Sequence, residues 1–402
     1  MKKTIALFFI IFTVIPLLEG CWNHRELTDL AFVTAMGIDK GTKERYEMSL
    51  QIVVPSNVAS GQTGGGSQGP PVVVYRSSGN NLTEASRKLS KIISRRIYYS
   101  HTNLLIISEE VAREGILNLL DALDRDSEFR TTTEVIISKN TKAKDIISTL
   151  TNLDKLPVNK FTKTIEGTEA ILGENIKMSI DDIISTIVSD GKEPLINGFT
   201  LTGKTKKGSS PDNINNTIPP AIITASGMAI MKNGKLVGWL NNDNAKGVVW
   251  VMNKMKGTYI DFNLKGKKDA VSMTPYLSDT KVSVKMVNGK PFMEISVQTL
   301  CKLSEMNTSF DITKIESVES LEKKTAVIIK KDIEESIRYA QSYKADIFGF
   351  GDSVHRSYPN YWKKTKGNWD EQFANLGFSV KVEAIYREIG IRNNPFWMNM
   401  DK

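Results

Sequence analysis

Gly198-Phe199-Thr200-Leu201-Thr202-Gly203-Lys204-Thr205 fits the phosphate-loop pattern G-x-x-x-x-G-K-[ST] letter for letter. In that chemistry backbone N–H groups cradle phosphates, the lysine reaches the outer phosphates and the hydroxyl meets magnesium. The loop must lead directly into a helix, whose N-terminus completes the cradle. Here Lys206-Lys207-Gly208-Ser209-Ser210-Pro211 follows, which cannot open a helix, and the four intervening residues alternate like a strand. The stretch reads as a strand end followed by a basic loop. Zinc hydrolysis finds no better footing. His24, His101 and His355 are far apart, without H-x-x-H or H-E-x-x-H neighbours. Serine acyl transfer lacks both a G-x-S-x-G elbow and an S-x-x-K. Asp121, Asp124, Asp126 and Glu128 could suggest a glycosidase pair or a calcium loop, but Arg125 and Arg130 interleave and the EF-hand order is missing. They read as a solvated, self-paired helix end. Trp362, Trp369, Phe373 and Trp397 could face a sugar or a partner, and read first as core packing.

One residue carries chemistry of a different kind. Lys2 and Lys3 form a positive n-region, Ile5 to Leu18 an apolar run broken only by Thr13 and Pro16, and Leu18-Glu19-Gly20-Cys21 closes it. That is a secretory signal over residues 1–20 ending in a lipobox, in which the Cys21 thiol accepts a diacylglyceryl group. Glu19 departs from the small, uncharged residue usual at its position. Two acyl chains hold a protein on a bilayer where one binds marginally. The run is shorter than the roughly 20 residues that span hydrocarbon, which argues against an uncleaved anchor.

The rest of the 402-residue chain must position whatever acts at that anchor. Its length suits two or three domains, and its composition is that of a globular protein. The only other cysteine is Cys301, so an acylated Cys21 leaves no intrachain disulfide. The net charge is +8, and cleavage that removes Lys2, Lys3 and Glu19 leaves +7. This modest excess suits an anionic membrane surface. Nucleic acid is not expected as a partner, since no RNP motif, zinc-finger spacing or arginine-rich arm occurs.

Periodicity supplies the elements. Leu30 to Lys40 is an apolar strand, and Tyr46 to Val54 alternates as a half-buried strand hairpinned to it. Residues 56–71 read as a flexible loop. From 72 to 150 the order is β-α-β-α-β-α, with helices at Leu82–Arg96 (capped by Asn81), Ser108–Leu123 and Ala143–Leu150. Residues 152–178 are less patterned; Ser179–Ser189 is a helix and Gly203–Pro220 an exposed loop. Two strands surround Asn233-Gly234 and two more Asn288-Gly289, each a hairpin signal. A long helix runs from Ser317 to Tyr343, a further helix covers Ala345 to Tyr358, and Phe378 to Tyr386 is a final strand. The expected organisation is α+β and multidomain: residues 21–200 an N-terminal α+β region, 201–270 a middle β-rich region, and 271–402 a C-terminal α+β domain with the long helix.

Cys21-Trp22-Asn23-His24-Arg25-Glu26-Leu27 followed by Gly37-Ile38-Asp39 closely resembles the Ger(x)C family, the lipoprotein C subunits of nutrient germinant receptors in spore-forming bacteria. The resemblance continues through Ser100-His101, Ser108-Glu109-Glu110-Val111-Ala112-Arg113-Glu114-Gly115 and Arg125-Asp126. It resumes at Gly227-Met228-Ala229-Ile230 and Leu236-Val237-Gly238-Trp239-Leu240, and in the long helix. It implies three sheet-plus-helix domains and a place on the outer face of the spore's inner membrane, beside multi-spanning A and membrane B subunits. It brings no catalytic residues and no cofactor or metal, so the expected role is non-catalytic. The motif positions Arg25, Glu26, His101, Arg125 and Asp126 are then interface residues or turn caps and ion pairs. The rival readings are a substrate-binding lipoprotein of a membrane transporter, which needs two similar lobes around a hinge, and a wall-active hydrolase, which needs a carboxylate or metal constellation.

Overall fold

Strands buried on both faces read as continuous apolar runs, and Leu104–Ser108 is such a run. Leu105 and Ile107 enter one core while Leu104 and Ile106 enter another. That strand lies near the middle of a nine-stranded mixed sheet. The computed structural model describes residues 4–5, 26–59 and 69–387. The sheet contains β1 (Leu30–Lys40), β2 (Tyr46–Val53), β3 (Val72–Gly79), β4 (Arg96–Tyr98), β5 (Leu104–Ser108), β6 (Glu134–Ser138), β7 (Leu195–Gly203), β8 (Ala221–Lys232) and β9 (Lys235–Leu240). Its order is β3-β2-β1-β5-β6-β7-β8-β9, with β4 extending the pairing of β1. β1, β5, β6 and β7 run parallel to one another; β2, β3, β8 and β9 join antiparallel.

Helices cover both faces. The short α1 (Pro55–Ala59) follows β2. On one face α2 (Leu82–Leu89), α3 (Glu109–Glu114), α4 (Leu117–Asp124) and α7 (Ile180–Val188) share a core with Val33, Leu50 and Ile137. On the other, α5 (Ala143–Ile147) and α6 (Val158–Ile171) pack on Ala35, Ile136 and Phe199. This second layer corrects the expectation for β2. The strand is buried on both faces, because Gln51 is enclosed beneath α5, to whose Ile147 carbonyl its side-chain amide donates at 2.8 Å.

A second sheet holds β10 (Ile260–Leu264), β11 (Lys267–Val287), β12 (Lys290–Met306) and β13 (Gly377–Tyr386), in that order. Its inner face packs on α9 (Asn242–Val251) and on α10 (Ile315–Ser342), whose Leu321, Ile329, Ile333, Ile337 and Ala340 point inward as the helical spacing predicts. The small helices α11 (Phe350–Ser357), α12 (Pro359–Thr365) and α13 (Trp369–Ala374) close this core. The α+β expectation holds. The expected boundaries after residues 200 and 270 fall inside β7 and β11.

Several elements differ from their expected bounds. The first helix stops at Leu89, where Ser90 turns, so Arg96 can start β4 beside Leu30. The helix expected to reach Leu123 breaks at Gly115, whose φ of 131° is closed to most side chains. The loop expected over 56–71 begins as α1, and its residues 60–68 lie outside the described residues. Residues 152–178 contain α6, and Gly203–Pro220 contains the one-turn α8 (Asp212–Asn215). The helix expected from Ala345 begins only at Phe350, because Gly349 interrupts it with φ 76°. Asn233-Gly234 and Asn288-Gly289 each take positive φ at both residues, the turn that matches strand twist.

Candidate functional site

The phosphate-loop pattern is built as sheet. Thr200, Leu201, Thr202 and Gly203 pair with Thr224, Ile223, Ile222 and Ala221 of β8, and the Lys204 N–H donates to the Pro220 carbonyl at 2.7 Å. A 3-10 turn, Thr205–Lys207, follows instead of a helix. Gly198 serves packing: a Cβ there would stand 2.4 Å from the Trp239 ring. The glycine admits the indole and has no part in a phosphate cradle.

The other candidates fall as the sequence reading placed them. Asp121 accepts from the Arg125 Nε at 2.9 Å, and that bond holds its carboxyl below the ordinary range. Glu128 accepts from Arg96 at 2.6 Å, and Asp126 accepts the Glu128 N–H at 2.9 Å. Trp362, Trp369 and Phe373 are buried in the C-terminal core. His355 stacks on Trp362 with centroids 5.7 Å apart. Among the described residues no group of three or more His, Cys, Asp or Glu could hold a metal. Cys21, Trp22, His24, Arg25 and Trp397 lie outside the described residues.

Three of the resemblance motifs do structural work. Asp39 is fully buried, and its two carboxylate oxygens accept the Ala143 and Lys144 N–H groups, each at 2.8 Å. It thereby caps α5 across the sheet, although burial raises its pKa against those bonds. Glu109 accepts from Trp239 Nε1 at 3.1 Å, the Asn140 N–H at 3.1 Å and Arg113 at 2.6 Å. Burial alone would raise this carboxyl, yet these bonds hold it below the usual range. The Lys139 ammonium lies 4.6 Å from the Trp239 ring centroid, and the Tyr339 hydroxyl of α10 donates to the Trp239 carbonyl at 3.2 Å. The Trp239 region therefore joins the first sheet to the long helix.

Sequence reasoning missed several buried acids, two of them in the C-terminal core. Asp346 is 3% exposed; its Oδ1 accepts the Gly349 and Phe350 N–H groups, and its Oδ2 accepts Gly351 N–H and Trp369 Nε1. Burial pushes its pKa up to about 6. Asp332 sits on the buried side of α10, and burial pushes it up to about 7, helped by Asp243. The legible signal was an acid inside an apolar stripe: Asp332 directly precedes Ile333, and Asp346 lies between Ala345 and Ile347.

The open concavity nearest Cys21 in the chain lies where β1 begins. A 3-10 turn, Leu27–Asp29, leads into β1, and β4 extends that end by pairing Leu30 with Arg96 and Phe32 with Tyr98. Phe32, Tyr98 and His101 form a ring cluster with centroids 5.3 to 5.9 Å apart. Beside it a cleft of about 540 Å³ is lined by Leu27, Phe32, Val54, Pro55, Ile93 and Arg95, among others. Its lining is mostly apolar, with the hydroxyls of Thr28, Ser56, Tyr75 and Ser94, one basic group, Arg95, and no carboxylate. Such a surface can adsorb or dock.

Known proteins share this chain's pattern along its length. Residues 23–201 match the family described as spore germination protein N-terminal domain, and residues 226–390 match spore germination B3/GerAC like, C-terminal. The chain is 41% identical over 398 residues to spore germination protein KC of Bacillus subtilis (strain 168), covering 98% of each. It is 26% identical over 391 residues to spore germination protein B3 of the same organism, covering 94% of this chain and 96% of that protein. The crystal structure of the GerBC protein resembles it with a TM-score of 0.55 and 21% identity, covering 88% of this chain and 97% of that one. At that identity the likeness speaks to the fold.

Proposed function

We infer function from kinship: the chain belongs to the Ger(x)C family of spore germination proteins, and we propose that it is the lipid-anchored, non-catalytic C subunit of a nutrient germinant receptor. In this reading residues 1–20 are removed, Cys21 carries the diacylglyceryl group, and the body stands on the outer face of the spore's inner membrane beside the A and B membrane subunits. The carrying observation is the end-to-end match to spore germination protein KC, over 98% of both chains. The lipobox at Leu18–Cys21 supports the anchor, and no helix among the described residues is long and apolar enough to cross a membrane. The body's role is then assembly and response, with polar groups such as Glu109 and Asp39 spent on holding the fold.

The test is co-purification from spore membranes followed by mass spectrometry. Recovery of A and B receptor subunits is expected; recovery of transporter permeases would replace this reading with a substrate-binding lipoprotein. Cys21→Ala should release the chain from the membrane fraction and impair germination. Unchanged fractionation would remove the anchor from the account.

A further inference from the structure

We propose that the open end of the first sheet is a second membrane contact, in which the cleft at the start of β1 and the basic segment beside it rest on an anionic bilayer surface beside the acylated cysteine. The inference rests on the lipid-anchor reading above. Leu27 lies six positions after Cys21, so full extension places it within roughly 20 Å of the anchored sulfur. The surface reached by that tether has interfacial chemistry. Leu27, which lines the cleft, is 73% exposed, and Ile92, next in sequence to the lining residue Ile93, is 54% exposed. The cleft also takes in Phe32, packed edge-on to Tyr98 and His101.

Charge on this end fits the same partner. Arg95 lines the cleft and is exposed, and Lys91 and Arg96 are exposed on the same segment, which runs from α2 into β4. Arg96 also pairs with Glu128 at 2.6 Å. The acids at the tip are Glu26, which takes the Thr28 hydroxyl, and Asp29. At the other end of β1 and β2 the charges pair with one another instead: Lys40 with Glu114, Lys88 with Glu44 at 2.6 Å, and Lys144 with Glu47 at 3.2 Å. Aliphatic tips, aromatic rings and basic side chains together are what the headgroup layer of an anionic bilayer accommodates. A patch this small would not hold a free protein. It need not, because the acyl chains already fix it beside the surface, and binding becomes an intramolecular step at high effective concentration. Two points of contact orient the body, where the tether alone would let it swivel.

A fluorophore tests this on the full lipidated chain reconstituted in vesicles. Ile92→Cys or Leu27→Cys takes an environment-sensitive nitrobenzoxadiazole label selectively, because Cys301 is buried and Cys21 is acylated. Val327→Cys, 59% exposed on α10, is the control. In phosphatidylglycerol-containing vesicles the label at 92 or 27 should shift to the blue and be quenched by nitroxide lipids, while the label at 327 stays water-like. Adding Lys91→Glu and Arg95→Glu should reverse the shift. Chain that floats with protein-free vesicles while labels at both positions remain in water would overturn the second contact and leave the anchor intact; that outcome would assign the cleft to a protein partner. Chain that fails to float would remove the anchor, and this proposal with it.

Discussion

Replacing Asp332 by Asn should stabilise this protein at every pH above the ordinary carboxylate pKa, and most where the folded aspartate is charged. Asp332 is 8% exposed on α10, between that helix and α9, and among the described residues its carboxylate makes no hydrogen bond. The cation that most favours its charge is already engaged: the Lys246 ammonium pairs with Asp243 at 3.4 Å and sits 4.0 Å from the Tyr259 ring centroid. Burial, with Asp243 and Glu335 adding to it, lifts the carboxyl from an ordinary 3.8 to about 7, while Lys246 and Lys331 pull the other way. An acid with a raised folded pKa binds its proton more tightly in the fold than in the unfolded chain. The cost is therefore absent below the ordinary pKa, grows as pH rises, and is complete above the folded value. Raising the pKa from 3.8 to about 7 corresponds to about 4 kcal/mol. Relaxation and water at the partly open site make this an upper bound.

Urea unfolding of wild type and Asp332→Asn at two pH values measures the effect. At about pH 8 the variant should be more stable by about 2–4 kcal/mol; at about pH 5 the gain should shrink to about 1–2 kcal/mol. The amide keeps the shape and drops the charge, so packing against Gly247 is unchanged. Ser336, which donates to the Asn244 carbonyl at 2.8 Å, keeps its bond. Equal stability of the two proteins at about pH 8 would refute the reasoning, since it would mean that the fold already satisfies the ionised carboxylate.

Asp346→Asn should do the opposite despite a pKa shift of the same direction, because its two oxygens accept from four donors and an amide offers one oxygen. Donors left facing an NH2 group cost about 1–3 kcal/mol each, so a loss of about 2–5 kcal/mol should appear as a lower urea midpoint, with changed Trp369 emission. Gly198→Ala should destabilise by about 1–3 kcal/mol, since its Cβ would meet both the Trp239 ring at 2.4 Å and the Ser226 carbonyl at 2.7 Å. Magnesium–ATP should leave the melting temperature of the wild type unmoved; a rise that tracks nucleotide concentration would restore the phosphate-loop reading.

Local chemistry made much of this fold legible. Asn81 was expected to cap a helix, and its side chain accepts the Glu84 N–H at 2.8 Å. The Asn-Gly pairs were expected to close hairpins, and they do, because both residues tolerate positive φ. The resemblance read from Cys21 to Asp39 and onward is borne out by the family matches. What stayed hidden depended on partners distant in sequence. Phe161 and Ile165 mark the buried face of α6, but polar residues fill its other turns, and only the underside of β7 gives that face a purpose. Asp39 stood only near the end of an apolar strand; its partners are the N–H groups of residues more than a hundred positions later. Gly198 matched a motif for phosphate because a motif records spacing, and spacing does not reveal that an indole lies above the glycine.

The two family matches stop at residue 201 and resume at 226, which suggests two separable halves, but the hydrogen bonding argues otherwise. β7 belongs to the first match and β8 largely to the second, and they pair from Leu195–Ile230 to Gly203–Ala221. The β8–β9 hairpin also has two loyalties. Ala229, Met231 and Leu236 enter the core of the first sheet, while Met228, Ile230 and Leu240 enter the core shared with Ile295, Leu321 and Ile337. Trp239 repeats the arrangement with polar groups, taking Glu109 on one side and Tyr339 on the other. Separating the halves would expose two apolar faces and break a strand ladder at once. Displacing one sheet therefore carries the long helix with it, and proteolysis between residues 203 and 220 should nick the chain without releasing either half. Two fragments eluting separately under native conditions after such a nick would show that the hairpin is not the joint described here.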